Sequence, residues 1–141
     1  MDQNEFEQLV AKEFERLPER FRKKIRNVAF LVEDEPSDEV LREAGLGEGE
    51  TLLGFYHGIP NTVRGGEYGV GPTLPDSISI YKLPTEDEAR ECLGHSAHYQ
   101  DEVFKETVRT IVAETVWHEV AHYFGFEEEE VERREEERKN I

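Results

Sequence analysis

The chain has little of several things on which many proteins depend. Its 141 residues include one cysteine, Cys92, so no disulfide can form within the chain and a reducing compartment is expected. No apolar run is long enough to span a bilayer. Basic residues are scarce, since 17 Lys and Arg stand against 33 Asp and Glu, giving a formal net charge of -16. This deficit argues against nucleic acid and anionic membranes as partners, because both require a basic surface.

The first residues also lack the apolar core of a secretory signal, because Met1 is followed by Asp, Gln, Asn and Glu. Together with the lone cysteine, this predicts a cytoplasmic protein. The length suits one domain, which we expect to cover residues 1–141. Within it, residues 1–26 are predicted to form an N-terminal helical extension, and residues 127–141 an acidic C-terminal helix.

Apolar residues recur at helical spacing in two main segments. Residues 6–17 form the first, and Asp2 or Asn4 can cap it. The stronger one runs from about 101 to 124, where a single apolar stripe includes His118 and His122. Two shorter helices are predicted, one capped by Ser37 and one around Ala89 and Leu93.

Three segments have the character of strands. Residues 28–32 form a short apolar run typical of a buried strand, and residues 52–57 form a second strand. Residues 77–81 alternate polar and apolar side chains, which is typical of a half-exposed strand and suits a sheet edge, although residues 28–32 remain the alternative edge strand. Between the last two strands, residues 58–76 are rich in Gly and Pro and predict a long loop beside a functional site.

His118, Glu119 and His122 form the sequence H-E-x-x-H on the longest predicted helix. Two imidazoles one turn apart can converge on one Zn²⁺. Glu119 then lies beside the metal, where it can take a proton from a zinc-bound water. The other interpretation is that both histidines are core residues bonded to backbone carbonyls. The uncharged residues around the motif, in a chain that is 35% charged, favour the metal.

A third metal ligand is predicted at Glu128. The residues after His122 follow the frame H-E-x-x-H-x-x-G-x-x-H, in which Gly125 lets the chain turn back toward the metal. Glu128 occupies the last position of that frame. Because it lies in a run of four glutamates, Glu127 and Glu129 remain alternatives.

At these motifs the chain resembles the small bacterial zincin-like metallopeptidases. The resemblance covers roughly residues 28–131 and rests on three segments, 52–60, 74–78 and 118–125. It implies a minimal zincin fold of the α+β class, with a small mixed sheet packed on an active-site helix and a second helix. It also implies a carboxylate as third ligand, usually Asp, where this chain has Glu128. The Met-turn of metzincins is absent, since Met1 is the only methionine.

The expected function is therefore that of a zinc-dependent metallopeptidase that hydrolyses a peptide or protein substrate. The alternative is a non-catalytic zinc-binding or peptide-binding module of the same fold. Glu119 favours the enzyme, because a structural zinc site has no need of a general base. A fourth protein ligand would favour the module, because structural sites are closed.

Other residues that could take part in chemistry are weaker candidates. Cys92 has no evident base nearby and is expected to be a small buried hydrophobe. His57 is expected to be a plain residue at the end of a strand, and His95 and His98 to lie on the surface. Three tyrosines could donate a hydrogen bond to an oxyanion, although packing is the preferred role for each: Tyr56, Tyr68 and Tyr81.

Overall fold

The computed structural model describes residues 1–25, 28–47, 49–58, 76–94 and 102–124. In this part of the chain five helices and three strands follow one another in the order α1 (Gln3–Glu15), α2 (Glu19–Arg22), β1 (Val28–Glu33), α3 (Asp38–Glu43), β2 (Gly54–His57), β3 (Asp76–Tyr81), α4 (Lys82–Leu93) and α5 (Glu102–Tyr123). The predicted Gly- and Pro-rich loop lies almost wholly outside the described residues. The predicted C-terminal helix lies entirely outside them.

The three strands form one mixed sheet with the order β1-β3-β2. β1 runs parallel to β3, with Val28 opposite Asp76, and β2 runs antiparallel to β3, with Gly54 opposite Ile80. A hydrogen bond from the Tyr81 backbone N–H to the Leu53 carbonyl extends the second ladder at 2.9 Å. A small mixed sheet with helices confirms the predicted α+β class.

The prediction that residues 77–81 suit a sheet edge was wrong. β3 is the central strand, and its side chains are mostly buried, including Ser79 and Tyr81 on the face that carries the serines. Within the described sheet β1 pairs with β3 alone, and it is only partly buried rather than buried as expected, with 42% of Leu31 exposed. The alternation of polar and apolar residues predicted an exposed face, but the face of β3 that carries the serines is largely buried.

Helix α5 lies at the centre of the molecule. It packs on α1, α4, β2 and β3, and its side chains Val112, Val116 and Val120 are fully buried. Valine restricts its own side chain in a helix and lowers the intrinsic helical propensity. The helix therefore depends on the packing around it more than on propensity.

The N-terminal helix contributes directly to this core. Phe6 of α1 is fully buried, and Val10 of the same helix and Leu17 just after it are almost so. Of the two predicted caps, Asp2 is the one that caps the helix, accepting a hydrogen bond from the Glu5 backbone N–H at 2.7 Å. None of the helices in the described part of the chain is long and apolar enough to cross a bilayer.

Candidate metal centre

The two histidines of the motif lie on successive turns of α5, close to its C-terminal end. The ring centroids of His118 and His122 are 4.9 Å apart, and the ring planes make an angle of 68°. Both side chains are half-buried. The helix thus brings two imidazoles to one point on its surface, as the spacing predicted.

Glu119 completes a group of three potential metal ligands. One donor atom from each of His118, Glu119 and His122 lies within 4.8 Å of the others. Glu119 is only 7% exposed. A buried carboxylate is favoured where a cation lies beside it, and two converging imidazoles are typical ligands of a zinc ion. The residues present therefore fit a bound divalent metal.

Aromatic contacts fix the rotation of α5 on both sides of the motif. Trp117, which precedes His118, packs edge-on against Phe21, with centroids 5.3 Å apart. Tyr123, which follows His122, packs edge-on against Tyr56 of β2 at 6.1 Å. Because the residues flanking the histidines are held by the core, the two imidazoles are held in a fixed direction.

Gly54 brings β2 into close contact with the same turn of α5. A Cβ atom at this position would lie 2.7 Å from Thr115 Cγ2, 3.0 Å from the Ser79 carbonyl oxygen and 3.4 Å from Glu119 Cγ. No side chain fits there without displacement. Gly54 was not predicted to contact the site, although a glycine inside an apolar strand is a signal of close backbone approach.

A pocket of about 440 Å³ opens beside the motif, between β2, α4 and α5. His118 and Glu119 form one end of it. Its other lining residues come from the segment before and at the start of β2, from α4 and from the preceding turns of α5: Thr51, Leu52, Leu53, Gly54, Glu88, Cys92, Ile111, Glu114 and Thr115. A peptide side chain placed here would lie directly next to Glu119.

The tyrosines of the sheet have partners within the fold. The Tyr56 hydroxyl donates a hydrogen bond to Oδ2 of the buried Asp76 at 2.6 Å. Tyr81 is 1% exposed. Its burial raises the pKa of its hydroxyl, a hydrogen bond with the Ser79 side chain lowers it, and the charges of Glu33 and Glu119 raise it further. These contacts support the packing roles that the sequence favoured.

Cys92 is not buried as expected, and His57 lies away from the motif. Cys92 is exposed and lines the pocket, so the prediction of a buried hydrophobe was wrong. His57 is exposed, and its Nδ1 lies 3.3 Å from Oε2 of Glu43 on α3. Six further candidates lie outside the described residues: Tyr68, His95, His98, Glu127, Glu128 and Glu129.

The sheet, the central helix and the His-Glu-His group together define a zincin-like protein. A sequence model of the zincin-like metallopeptidase family matches residues 25–138, so the chain belongs to that family. Membership implies a metal, typically zinc, and a peptide as substrate. The match begins after α1 and α2, although α1 packs on α5. No curated protein matches the chain.

Proposed function

We propose that the protein is a zinc-dependent peptidase with His118 and His122 as metal ligands and Glu119 as general base. The observation that carries the proposal is the buried carboxylate of Glu119 beside two imidazoles at one end of an open pocket. Family membership supports it independently. A structural metal site would have no use for a pocket of this size next to the carboxylate.

When bound, zinc would act as a Lewis acid toward the scissile carbonyl and would make a water molecule more acidic. The chain supplies the rest of the chemistry. Glu119 accepts the proton of the attacking water and returns it to the departing amine nitrogen. Its close contact with β2 holds the carboxylate in place, while His118 and His122 orient the metal.

The third ligand in this proposal is Glu128, with Glu127 and Glu129 as the alternatives. Three protein ligands leave one position open for water, as catalytic zinc sites require. The proposal for Glu128 rests on the motif frame. We propose further that residues 1–141 act as one domain, because α1 shares the core of α5.

β2 is the strand best placed to receive the substrate backbone. Within the described sheet it pairs with β3 alone, and it lies against Glu119 through Gly54. An extended peptide could add to this edge by β-augmentation. β3 cannot take this role, because it is paired with a strand on each side.

The first experiment measures zinc content and peptide cleavage for the wild type and for Glu119→Gln. We expect stoichiometric zinc in both, and a rate of cleavage of a peptide library that falls by a factor of about 10² to 10⁴ in the variant. His118→Ala and His122→Ala should lose the zinc. His57→Ala is the matched control for zinc content, because this histidine is exposed and its ring lies beside Glu43, and it should retain the zinc.

The outcomes separate the two candidate functions. Zinc in the wild type without any cleavage, even of denatured proteins, would leave a non-catalytic zinc-binding or peptide-binding module. No zinc in the wild type after zinc has been supplied would overturn the metal site itself.

The third ligand is tested by zinc titration of three single variants. Glu128→Ala should weaken zinc binding strongly, whereas Glu127→Ala and Glu129→Ala should bind as the wild type does. Loss at position 127 or 129 with normal binding at 128 would refute the motif frame.

A further inference from the structure

The pocket beside Glu119 has an apolar floor and an acidic mouth. Ile111 and Thr115 are almost fully buried at its base, and Leu53 forms part of one wall. Two carboxylates, Glu88 of α4 and Glu114 of α5, line it at exposed positions. No Lys or Arg is among the described residues that line it.

The distance along the axis of α5 between the residues that line the pocket gives its approximate length. Glu114 precedes His118 by one helical turn of four residues, which is about 6 Å along the axis. A long side chain that starts next to Glu119 and follows the pocket would pass Thr115 and end at the two glutamates. Lysine and arginine match this shape and charge, because each has an apolar stem and a cationic end.

We propose that this pocket is a specificity subsite for a lysine or arginine side chain of the substrate, with Glu88 and Glu114 as the residues that determine the preference. The inference rests on the proposed peptidase function for its placement next to the scissile bond. Leu53 and Ile111 contact the aliphatic stem, and the two carboxylates bind the cationic end. The net charge of -16 adds to the attraction of basic peptides.

The first test compares cleavage of matched peptides that differ by lysine or norleucine at one position. We expect a library digest to place Lys or Arg at one fixed position beside the cleaved bond. Glu88→Gln and Glu114→Gln should each lower the ratio of kcat/KM for lysine over norleucine about threefold, and the double variant about tenfold. Replacing both residues by lysine should turn the preference toward acidic side chains.

Two control variants remove the same charge outside the pocket. These are Glu91→Gln on α4 and Glu102→Gln on α5. Both glutamates are exposed, and neither lines this pocket. They should leave the ratio unchanged. An equal effect of all four single variants would show a general effect of net charge and would overturn the subsite.

A second test measures the charge preference of the pocket without relying on catalysis. Cys92 is the only cysteine, is exposed and lines the pocket, so modification of its thiol reports on this place alone. A cationic methanethiosulfonate should react faster than an anionic one of similar size, after correction for their rates with a free thiol. Glu88→Gln/Glu114→Gln should lower that ratio at least threefold. Lysine peptides should protect Cys92 in zinc-loaded Glu119→Gln, and norleucine peptides should protect it less.

The two tests separate the failure of this inference from the failure of the proposed function. Charge selectivity and protection at Cys92 without cleavage by the wild type would keep the subsite and refute the peptidase. Cleavage with no preference for basic residues would keep the peptidase and refute the subsite. Equal reaction of Cys92 with both reagents would refute the acidic pocket in either case.

Discussion

Gly54→Ala tests whether β2 truly lies against the turn of α5 that carries the candidate site. The added Cβ would lie 2.7 Å from Thr115 Cγ2, which real contacts do not allow, and 3.0 Å from the Ser79 carbonyl oxygen. Overpacking of this kind costs about 1–3 kcal/mol. For a domain of 141 residues, each kcal/mol lowers Tm by about 3 °C. We therefore expect a loss of about 3–9 °C by calorimetry.

Thr115→Ser supplies the matched second variant. It removes Cγ2, the atom in the closest contact, and keeps the hydroxyl that donates to the Ile111 carbonyl at 2.7 Å. In the wild type the loss of a buried methyl group should destabilise by about 1 kcal/mol. In the Gly54→Ala background the same change should stabilise, because it makes room for the new Cβ. Rescue should be incomplete, since the Ser79 carbonyl remains.

The change of sign is the decisive result of this double-mutant cycle. If Thr115→Ser destabilises equally in both backgrounds, or if Gly54→Ala has no effect on Tm, β2 and α5 are further apart than described. Zinc affinity offers a second measurement. Gly54→Ala also places its Cβ 3.4 Å from Glu119 Cγ, so displacement of Glu119 should lower cleavage more than it lowers zinc content.

Two further predictions concern the core and the pH dependence of stability. Phe6→Ala should lower the free energy of unfolding in urea by about 3–5 kcal/mol, because the ring is fully buried in the core. Gln8→Ala, on the exposed face of α1, should leave it nearly unchanged. Equal effects of the two variants would place α1 outside the core. Burial raises the pKa of Tyr81 above 10.0, so unfolded chains release this proton first. The stability that Tyr81 contributes is complete below pH 10 and falls as pH rises above it, by at most about 1.4 kcal/mol per pH unit. Urea titrations on either side of pH 10 should show a shallower alkaline loss for Tyr81→Phe, and an unchanged slope would contradict the assigned burial.

The sequence predicted best what depends on neighbours along the chain. The helix of residues 102–123, the cap at Asp2 and the convergence of His118 and His122 follow from spacings of three and four residues. These contacts form within one or two turns, so no knowledge of the tertiary fold is needed to expect them.

Features that depend on distant segments were not predicted. The central position of β3 depends on two partner strands and on what covers its serine face, and alternation alone describes neither. Cys92 lines the pocket because α4 lies opposite the start of β2, and the sequence around Cys92 does not indicate this arrangement. A glycine inside an apolar strand indicates a close contact, but the sequence does not show that Thr115 of α5 is the residue opposite Gly54.

The mixed sheet also has a consequence for the order in which the protein folds. Val28 pairs with Asp76, 48 positions later, and the same separation holds along the whole parallel ladder. Closing so long a segment is slow compared with forming a helix, whose contacts are local. Gly54 and Thr115 are 61 positions apart, so we expect α5 to form together with the neighbouring α4, with both histidines in place, before β2 is positioned against it. The newly made chain would be able to hold a metal ion before it has a cleft in which to hold a peptide.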